Sequence, residues 1–212
     1  MPRPRLHKLN PAIDLSKHLL TLEQLPRPWN AESVFGRQAP LEVEAGSGKG
    51  LFLRTAAAQH PEINYLGIEI SRPYSQFIAA NLVHDGQTNA RIVAGDATQV
   101  FSEVFPENAL AAVHVYFPDP WWKRRHRKRR LMRESFAHDI ERVLQPGGKL
   151  HFWTDVEEYF QVTLKLLAAE TKLEGPFEVP EPSADSADYR THFERRTRLE
   201  GQPVYRSEFR KQ

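Results

Sequence analysis

A chain of 212 residues without cysteine can bury one large core, but it can form no disulfide bond, thiolate metal site or cysteine nucleophile. With 40% apolar residues, no run of 18 of them that could span a membrane and no apolar signal segment in MPRPRLHKLNPAID, the chain is expected to be a cytoplasmic protein. The net charge of +2 conceals one segment, residues 123–130, that holds seven Lys or Arg and leaves −5 for the remainder.

Secondary structure is predicted to alternate between strands and helices after an irregular start. Residues 1–40 are basic, rich in Pro and without clear periodicity, so they predict an N-terminal arm or lead-in. The predicted strands are 41–45, 63–70, 91–94, 110–117, 150–154 and 203–209, and the predicted helices are 48–59, 74–84, 131–144 and 156–169. This alternation favours a doubly wound, mostly parallel α/β sheet. The acidic, Pro-rich residues 174–190 predict a long loop.

A glycine-rich turn follows the first of these strands and reads EAGSGKG over residues 44–50. Glycines at such a turn let the backbone bend sharply and a ligand approach closely. The dinucleotide fingerprint would need a third glycine where Leu51 stands, and the phosphate-loop spacing also fails. The pattern resembles instead the first motif of Rossmann-like S-adenosylmethionine methyltransferases, although alone it is equally consistent with a tight turn. That resemblance implies that Glu44, Gly46 and Gly48 contact the cofactor.

Two further acids follow the next two predicted strands. Glu69 ends one strand and could accept hydrogen bonds from both hydroxyls of a ribose. Asp96 follows the next and could meet the edge of an adenine. Each alone is better explained as a solvated acid, but with Glu44 three acids stand at successive strand ends, and open α/β sheets bind ligands at the carboxyl ends of their strands, so together they point to one ligand site.

The stretch HVYFPDPWWKRRHRKRR, residues 114–130, joins another strand end to the basic segment. Pro118 and Pro120 restrict the backbone on either side of Asp119, so this carboxylate should be held stiffly at the ligand edge. At least one of Trp121 and Trp122 is expected to anchor in the core, and the other could stack on a base or ribose. The basic segment is predicted to lead into, and to form, the first turn of helix 131–144. Cations there oppose the helix dipole, which favours a phosphate-binding role over a structural one.

The motif FPDPWWKRRHRKRR resembles the signature of bacterial tRNA (guanine-N7-)-methyltransferases, and the resemblance extends over about residues 29–209. It implies a class I methyltransferase domain over 41–212, with a seven-stranded sheet and an antiparallel last strand. It also implies S-adenosylmethionine as cofactor, methylation of a guanosine in the variable loop (tRNA position 46), tRNA as partner, a monomer or homodimer, and no membrane or metal. Ala45 and Gly201-Gln202 depart from the family pattern at positions away from the implied ligand contacts.

The resemblance also assigns roles residue by residue. Asp119 is implied as catalytic and cofactor-contacting, together with the cofactor-contacting acids Glu44, Glu69 and Asp96. The implied substrate contacts are Lys123, Asp155, Thr191, His192, Phe193 and Glu194. The implied RNA contacts are Arg124, Arg125, His126, Arg127, Lys128 and Arg129.

Two other functions remain open from the sequence. The first is another nucleic-acid methyltransferase, such as an adenine-N6 enzyme, since Asp-Pro at the end of this strand also occurs there; Trp121 stands where such sites have a second proline. The second is a non-catalytic RNA-binding protein on a methyltransferase scaffold, which a broken cofactor motif would favour. Binding of S-adenosylmethionine would separate an enzyme from this last case.

Overall fold

The computed structural model describes residues 10–121, 123–180 and 190–212, with the backbone alone for Arg124 and Arg127. Its strands are β1 Leu19–Thr21, β2 Leu41–Ala45, β3 Asn64–Glu69, β4 Ala90–Ala94, β5 Leu110–Tyr116, β6 Leu144–Thr154, β7 Glu174–Phe177 and β8 Tyr205–Arg210. Its α-helices are α1 Ala31–Phe35, α2 Leu51–Gln59, α3 Arg72–His84, α4 Ala97–Glu103, α5 Glu134–Val143, α6 Glu157–Glu170 and α7 His192–Leu199. Short 3-10 helices cover Leu22–Gln24 and Arg124–Arg129.

One sheet organises these elements, in the order β1-β4-β3-β2-β5-β6-β8-β7. All pairs from β1 to β6 are parallel, and β8 runs antiparallel to both β6 and β7. The predicted doubly wound α/β sheet with an antiparallel last strand is therefore confirmed. Helices cover both faces, with buried α2 and α3 residues in one apolar cluster and buried α4, α5 and α6 residues in the other.

Among the described residues the sheet has eight strands where seven were expected, because the lead-in contributes β1. Leu19 to Thr21 pair in register with Ile92 to Ala94 of β4. A three-residue strand is too short to show alternation, so this element left no periodic signal in the sequence. Residues 1–9 of the predicted arm lie outside the described part of the chain.

The predicted loop 174–190 was wrong at its start, where β7 forms an edge strand on β8. Its Pro residues suggested a loop, but an edge strand tolerates Pro, because one side of it needs no ladder hydrogen bonds. Residues 181–189 of that loop lie outside the described part of the chain.

Candidate functional site

Five acidic residues lie at or just after the carboxyl ends of neighbouring parallel strands. In the spatial order β4, β3, β2, β5 and β6, they are Asp96, Glu69, Glu44, Asp119 and Asp155. From β2 the chain adds β3 and then β4 on one side of that strand, and it then crosses to the other side of β2 to add β5 and β6. The edge above β2 and β5 is therefore the switch point at which open α/β sheets bind ligands.

The glycine turn has the backbone geometry that its composition predicted. Gly46, Gly48 and Gly50 have φ values of 88°, 54° and 73°, a region that side chains with Cβ rarely adopt. A Cβ added at Gly46 or Gly48 would meet nothing within 4 Å, whereas one at Gly50 would meet Ile78 at 2.7 Å. The first two glycines thus leave open space for a ligand, and the third allows α2 and α3 to pack closely.

Glu69 fixes this turn to the end of β3. Its carboxylate accepts hydrogen bonds from the Gly48 amide and the Ser71 amide, each at 2.8 Å. Glu69 therefore holds the glycine turn at the end of β3, where the sequence predicted a ribose contact.

Glu44 lies in β2 just before the same turn, in surroundings that disfavour a charged carboxylate. It is buried, and neither its Oε2 nor the Ser47 Oγ has a hydrogen-bond partner among the described residues. Burial raises the pKa of the Glu44 carboxyl to about 8, the Ser47 side chain opposes this, and the Glu69 charge adds to it. A buried acid whose Oε2 accepts no hydrogen bond fits a ligand that brings a cation or a hydrogen-bond donor.

Asp96 and Ile70 lie at the part of the ligand edge that the ends of β4 and β3 form. Asp96 is exposed and caps α4, because it accepts hydrogen bonds from the Thr98 amide and hydroxyl, each at 2.8 Å. Ile70 directly follows Glu69 and is 75% exposed. An isoleucine so exposed beside two ligand-edge acids could cover the face of a flat ring. The sequence analysis missed Ile70, although an apolar residue directly after the strand-end acid was a usable signal.

Residues 117–121, named here the PDP turn, carry Asp119 at the end of β5. Phe117 and Trp121 have φ values of 50° and 43°. Non-glycine residues in this region cost on the order of 1–3 kcal/mol each and persist only where the surroundings fix them. The Phe117 amide bonds the Trp153 carbonyl at 2.8 Å, which ties the turn to β6. Asp119 is exposed, and Asp155, just past β6, is half-buried.

The basic segment does not form the first turn of α5, so that prediction was wrong. Residues 124–129 form their own 3-10 helix, and α5 begins at Glu134, with Arg133 as its N-cap. An acid thus occupies the first turn of α5, as the helix dipole favours. The separate 3-10 helix places Lys123, Arg125, Lys128 and Arg129 on the surface.

Trp121 does not anchor in the core. It is half-buried under the basic segment, with the Arg129 guanidinium 5.2 Å from its ring centroid and the His126 ring edge-on at 5.7 Å. Trp122 and the side chains of Arg124 and Arg127 lie outside the described part of the chain. Trp121 therefore supports the basic segment, which explains why an aromatic residue precedes it.

Helix α7 brings the other predicted substrate contacts to this edge. The exposed Phe193 ring packs 5.0 Å from the Phe117 ring at the start of the PDP turn. His192 is exposed, and its pKa is lowered by partial burial and by the charges of Lys49 and Arg195. The Thr191 hydroxyl caps the helix by accepting from the Glu194 amide at 2.9 Å. The segment 191–194 therefore lies between the glycine turn and the PDP turn.

Glu194 is fully buried at 0% exposure. Its Oε2 accepts from the Arg190 amide at 2.6 Å, and its Oε1 lies 3.4 Å from Nη2 of Arg206 in β8. A buried carboxylate paired in this way anchors a segment, because removing either partner strands a charge away from water. This geometry favours an anchoring role for Glu194.

The described residues also limit which other sites are present. None of their His, Asp and Glu side chains form a group of three that could hold a metal ion. None of the helices in this part of the chain has the length and apolar character needed to cross a membrane.

Comparisons with known proteins agree on one family. Residues 38–207 match the family model described as a putative methyltransferase. The chain is 48% identical to a tRNA (guanine-N(7)-)-methyltransferase of Rhodopirellula baltica, over all of this chain and 80% of that protein. It is 37% identical to the enzyme of the same name from Cupriavidus necator, over 94% of this chain and 77% of that protein.

A solved structure supports the same fold. The 16S rRNA methyltransferase KamB superposes with a TM-score of 0.63 at 16% identity, over 84% of this chain and 91% of that one. At this identity the likeness shows the Rossmann-like methyltransferase fold alone. Because the chain is 48% identical over its whole length to one such enzyme, it belongs to the tRNA (guanine-N(7)-)-methyltransferase family.

Proposed function

We propose that this protein transfers a methyl group from S-adenosylmethionine to N7 of a guanosine in tRNA. The observation that carries the proposal is the PDP turn, which presents an exposed Asp119 between an open glycine turn and a concentrated basic surface. The names of the relatives support the same reaction. The resemblance of the motifs points to the variable loop as the place of the guanosine.

The glycine turn and its acids fit the parts of this cofactor. Open space over Gly46 and Gly48 admits the chain of the methionine portion. The unpartnered Glu44 Oε2 suits a donor such as an ammonium group, Glu69 suits the ribose hydroxyls, and Asp96 with Ile70 suits the adenine. When bound, the cofactor supplies an electrophilic methyl group on a sulfonium.

The residues present match what alkylation at N7 requires of a protein. Guanine N7 has a lone pair in the plane of the ring and carries no proton, so no strong base is needed. Much of the rate must come from orienting the two reactants, which is consistent with a site built from a stiff turn. The methylated purine is cationic, and carboxylates such as Asp119 and Asp155 can stabilise that charge as it develops.

Selection of guanine follows from the same carboxylates. Guanine presents adjacent N–H donors at N1 and its amino group, which a carboxylate can accept. Adenine presents an acceptor at N1, and a buried acceptor without a donor costs roughly 1–3 kcal/mol. Asp119 and Asp155 follow neighbouring strands, so both can face one base. Glu194 contributes by holding α7 in place.

The basic segment supplies affinity without reading the base. Lys and Arg contacts with phosphates position a nucleic acid but carry no sequence information. Its exposed cations follow directly after the PDP turn, so RNA held on them lies beside Asp119. The base must also be accessible, which favours a flexible loop over a stacked helix.

Nucleoside analysis of tRNA incubated with the protein and labelled S-adenosylmethionine tests the reaction. We expect 7-methylguanosine as the labelled nucleoside. A matched tRNA with 7-deazaguanosine at the variable-loop position keeps the Watson–Crick edge and lacks only the nucleophile. It should bind nearly normally and accept no methyl group there. Label in adenosine, or in the 7-deaza nucleotide, would refute the N7 assignment.

A further inference from the structure

We propose that Arg130 is a positioning residue that holds the PDP turn and, through it, Asp119, and that it does not contact RNA. The inference rests on the proposed function, and it separates Arg130 from the cations of the basic segment that are exposed, Lys123, Arg125, Lys128 and Arg129. The resemblance assigned RNA contact to residues 124–129, so Arg130 had no role from the sequence.

The side chain of Arg130 points into the protein. The residue is only 8% exposed, whereas Arg125, Lys128 and Arg129 are exposed. Its Nε donates a hydrogen bond of 2.6 Å to the Pro120 carbonyl, inside the PDP turn. A buried guanidinium that donates to a backbone carbonyl of the PDP turn is not positioned to neutralise a phosphate.

Tyr159 packs against the same Arg130 side chain. The Arg130 guanidinium lies 4.9 Å from the centroid of the Tyr159 ring. Tyr159 is itself 1% exposed, and its hydroxyl accepts from the Met132 amide at 3.2 Å. It belongs to the first turn of α6, four residues after Asp155. Arg130 thus connects the turn that carries Asp119 to the helix that follows Asp155.

The PDP turn needs an external support of this kind. Pro118 and Pro120 have no backbone N–H, so two donors that could fix the turn are absent. Phe117 and Trp121 sit in the left-handed region, which only surrounding contacts can maintain. Arg130 holds the second half of the turn through the Pro120 carbonyl, as β6 holds the first half through the Phe117 amide.

Three substitutions of the same type separate positioning from RNA contact and from simple stability. Arg130→Met removes the proposed support, and Arg125→Met removes an exposed cation of the basic segment. Arg91→Met is the control: Arg91 also donates to backbone carbonyls, at 2.8 and 3.0 Å, and also lies over a ring, Phe35, at 5.4 Å. Arg91 is near the amino end of β4, whereas the ligand edge is formed by the carboxyl ends of the strands.

The measurements are single-turnover methylation at saturating tRNA and cofactor, the tRNA dissociation constant against salt, and thermal unfolding. Arg130→Met should lower the rate by roughly 10- to 100-fold, the effect of a small misplacement of reacting groups. Its salt slope should equal that of the wild type. Arg125→Met should make the slope less steep, by about 0.7–0.9 for one phosphate contact. Arg91→Met should lose stability with an unchanged rate.

Each other outcome contradicts the proposal. A reduced salt slope for Arg130→Met would show that Arg130 contacts phosphate, and a rate like that of Arg91→Met would show that it is only structural. If Arg130→Met does not fold, Arg130→Lys replaces it, because lysine keeps a donor but loses the planar stack on Tyr159. Arg130→Lys should methylate more slowly than the wild type with the same salt slope, and a wild-type rate would contradict the proposal. Wild-type protein that makes no 7-methylguanosine would overturn the proposed function, while the slope comparison, which requires binding alone, would still decide the contact of Arg130.

Discussion

Phe193 of α7 packs its ring 5.0 Å from that of Phe117, and so joins the segment 191–194 to the PDP turn. The Arg196 guanidinium lies 4.7 Å from the centroid of the Phe193 ring, and Phe193 is 37% exposed. An aromatic ring beside an arginine at the ligand edge is suited to stacking on a base.

Phe193→Ala should therefore weaken use of the tRNA. Loss of base–aromatic stacking costs about 1–3 kcal/mol, which predicts a fall in kcat/KM of about 5- to 150-fold, with little change in cofactor affinity. Leu199→Ala is the control, because Leu199 is 69% exposed at the far end of the same helix. Equal effects of both variants would mean that Phe193 matters only for α7 as a whole.

Asp96 can be tested without losing its capping role. Asp96→Ala should weaken S-adenosylmethionine binding more than tRNA binding, but it also removes the N-cap of α4, at about 1 kcal/mol of stability. Asp96→Ser keeps an oxygen that can accept from the Thr98 amide, so it should unfold near the wild-type temperature and still bind cofactor weakly. Unchanged cofactor affinity in calorimetry of Asp96→Ser would remove Asp96 from the cofactor site.

Neutralising the basic segment should change the salt dependence of tRNA binding. With Arg124, Arg125, Arg127 and Arg129 changed to Gln, the slope of log K against log salt should become less steep by about 0.7–0.9 per lost contact, since fewer counterions are released. Cofactor affinity should be retained. Gln at the exposed Lys165 and Lys172, near the far end of α6, provides a charge control. If both variants keep the wild-type slope, the basic segment is a solvated surface.

Asp119→Ala should lower turnover strongly while the fold persists, because Asp119 is exposed and packs no core. Removing one preorganised charge-stabilising group typically costs on the order of 10²–10³ in rate. The measurement is single-turnover methylation at saturating tRNA and cofactor, with thermal unfolding as the check on folding. Near-normal turnover would transfer the catalytic role to Asp155.

Glu44→Gln should separate stability from cofactor binding. Because the pKa of Glu44 is raised from 4.5 to about 8 on folding, its contribution to stability is fully present below pH 4.5 and is lost as the pH rises through 8. The amide variant removes this loss, so its unfolding temperature should fall less than that of the wild type between pH 5 and pH 8. It should also bind S-adenosylmethionine more weakly. A pH dependence of unfolding identical to that of the wild type would show that Glu44 is ionised in the folded protein.

Local chemistry let the sequence predict much of the site. The strand and helix periods gave the parallel sheet, and Gly46, Gly48 and Gly50 gave a turn with left-handed residues. Because all parallel strands end at one edge, acids at successive strand ends had to come together there. The basic segment and its neighbouring Asp119 were visible because they are contiguous.

Contacts between distant parts of the chain decided the rest. The short edge strands β1 and β7 form because β4 and β8 offer free ladder partners, and neither shows a strand pattern of its own. Glu194 is buried because Arg206 in β8, 12 residues later, lies beneath it. Arg130 looks like its neighbours in the sequence, and only the Pro120 carbonyl and the Tyr159 ring turn it inward. Composition determined how much charge this segment carries, whereas packing partners that the local sequence does not contain determined that Arg130 points inward.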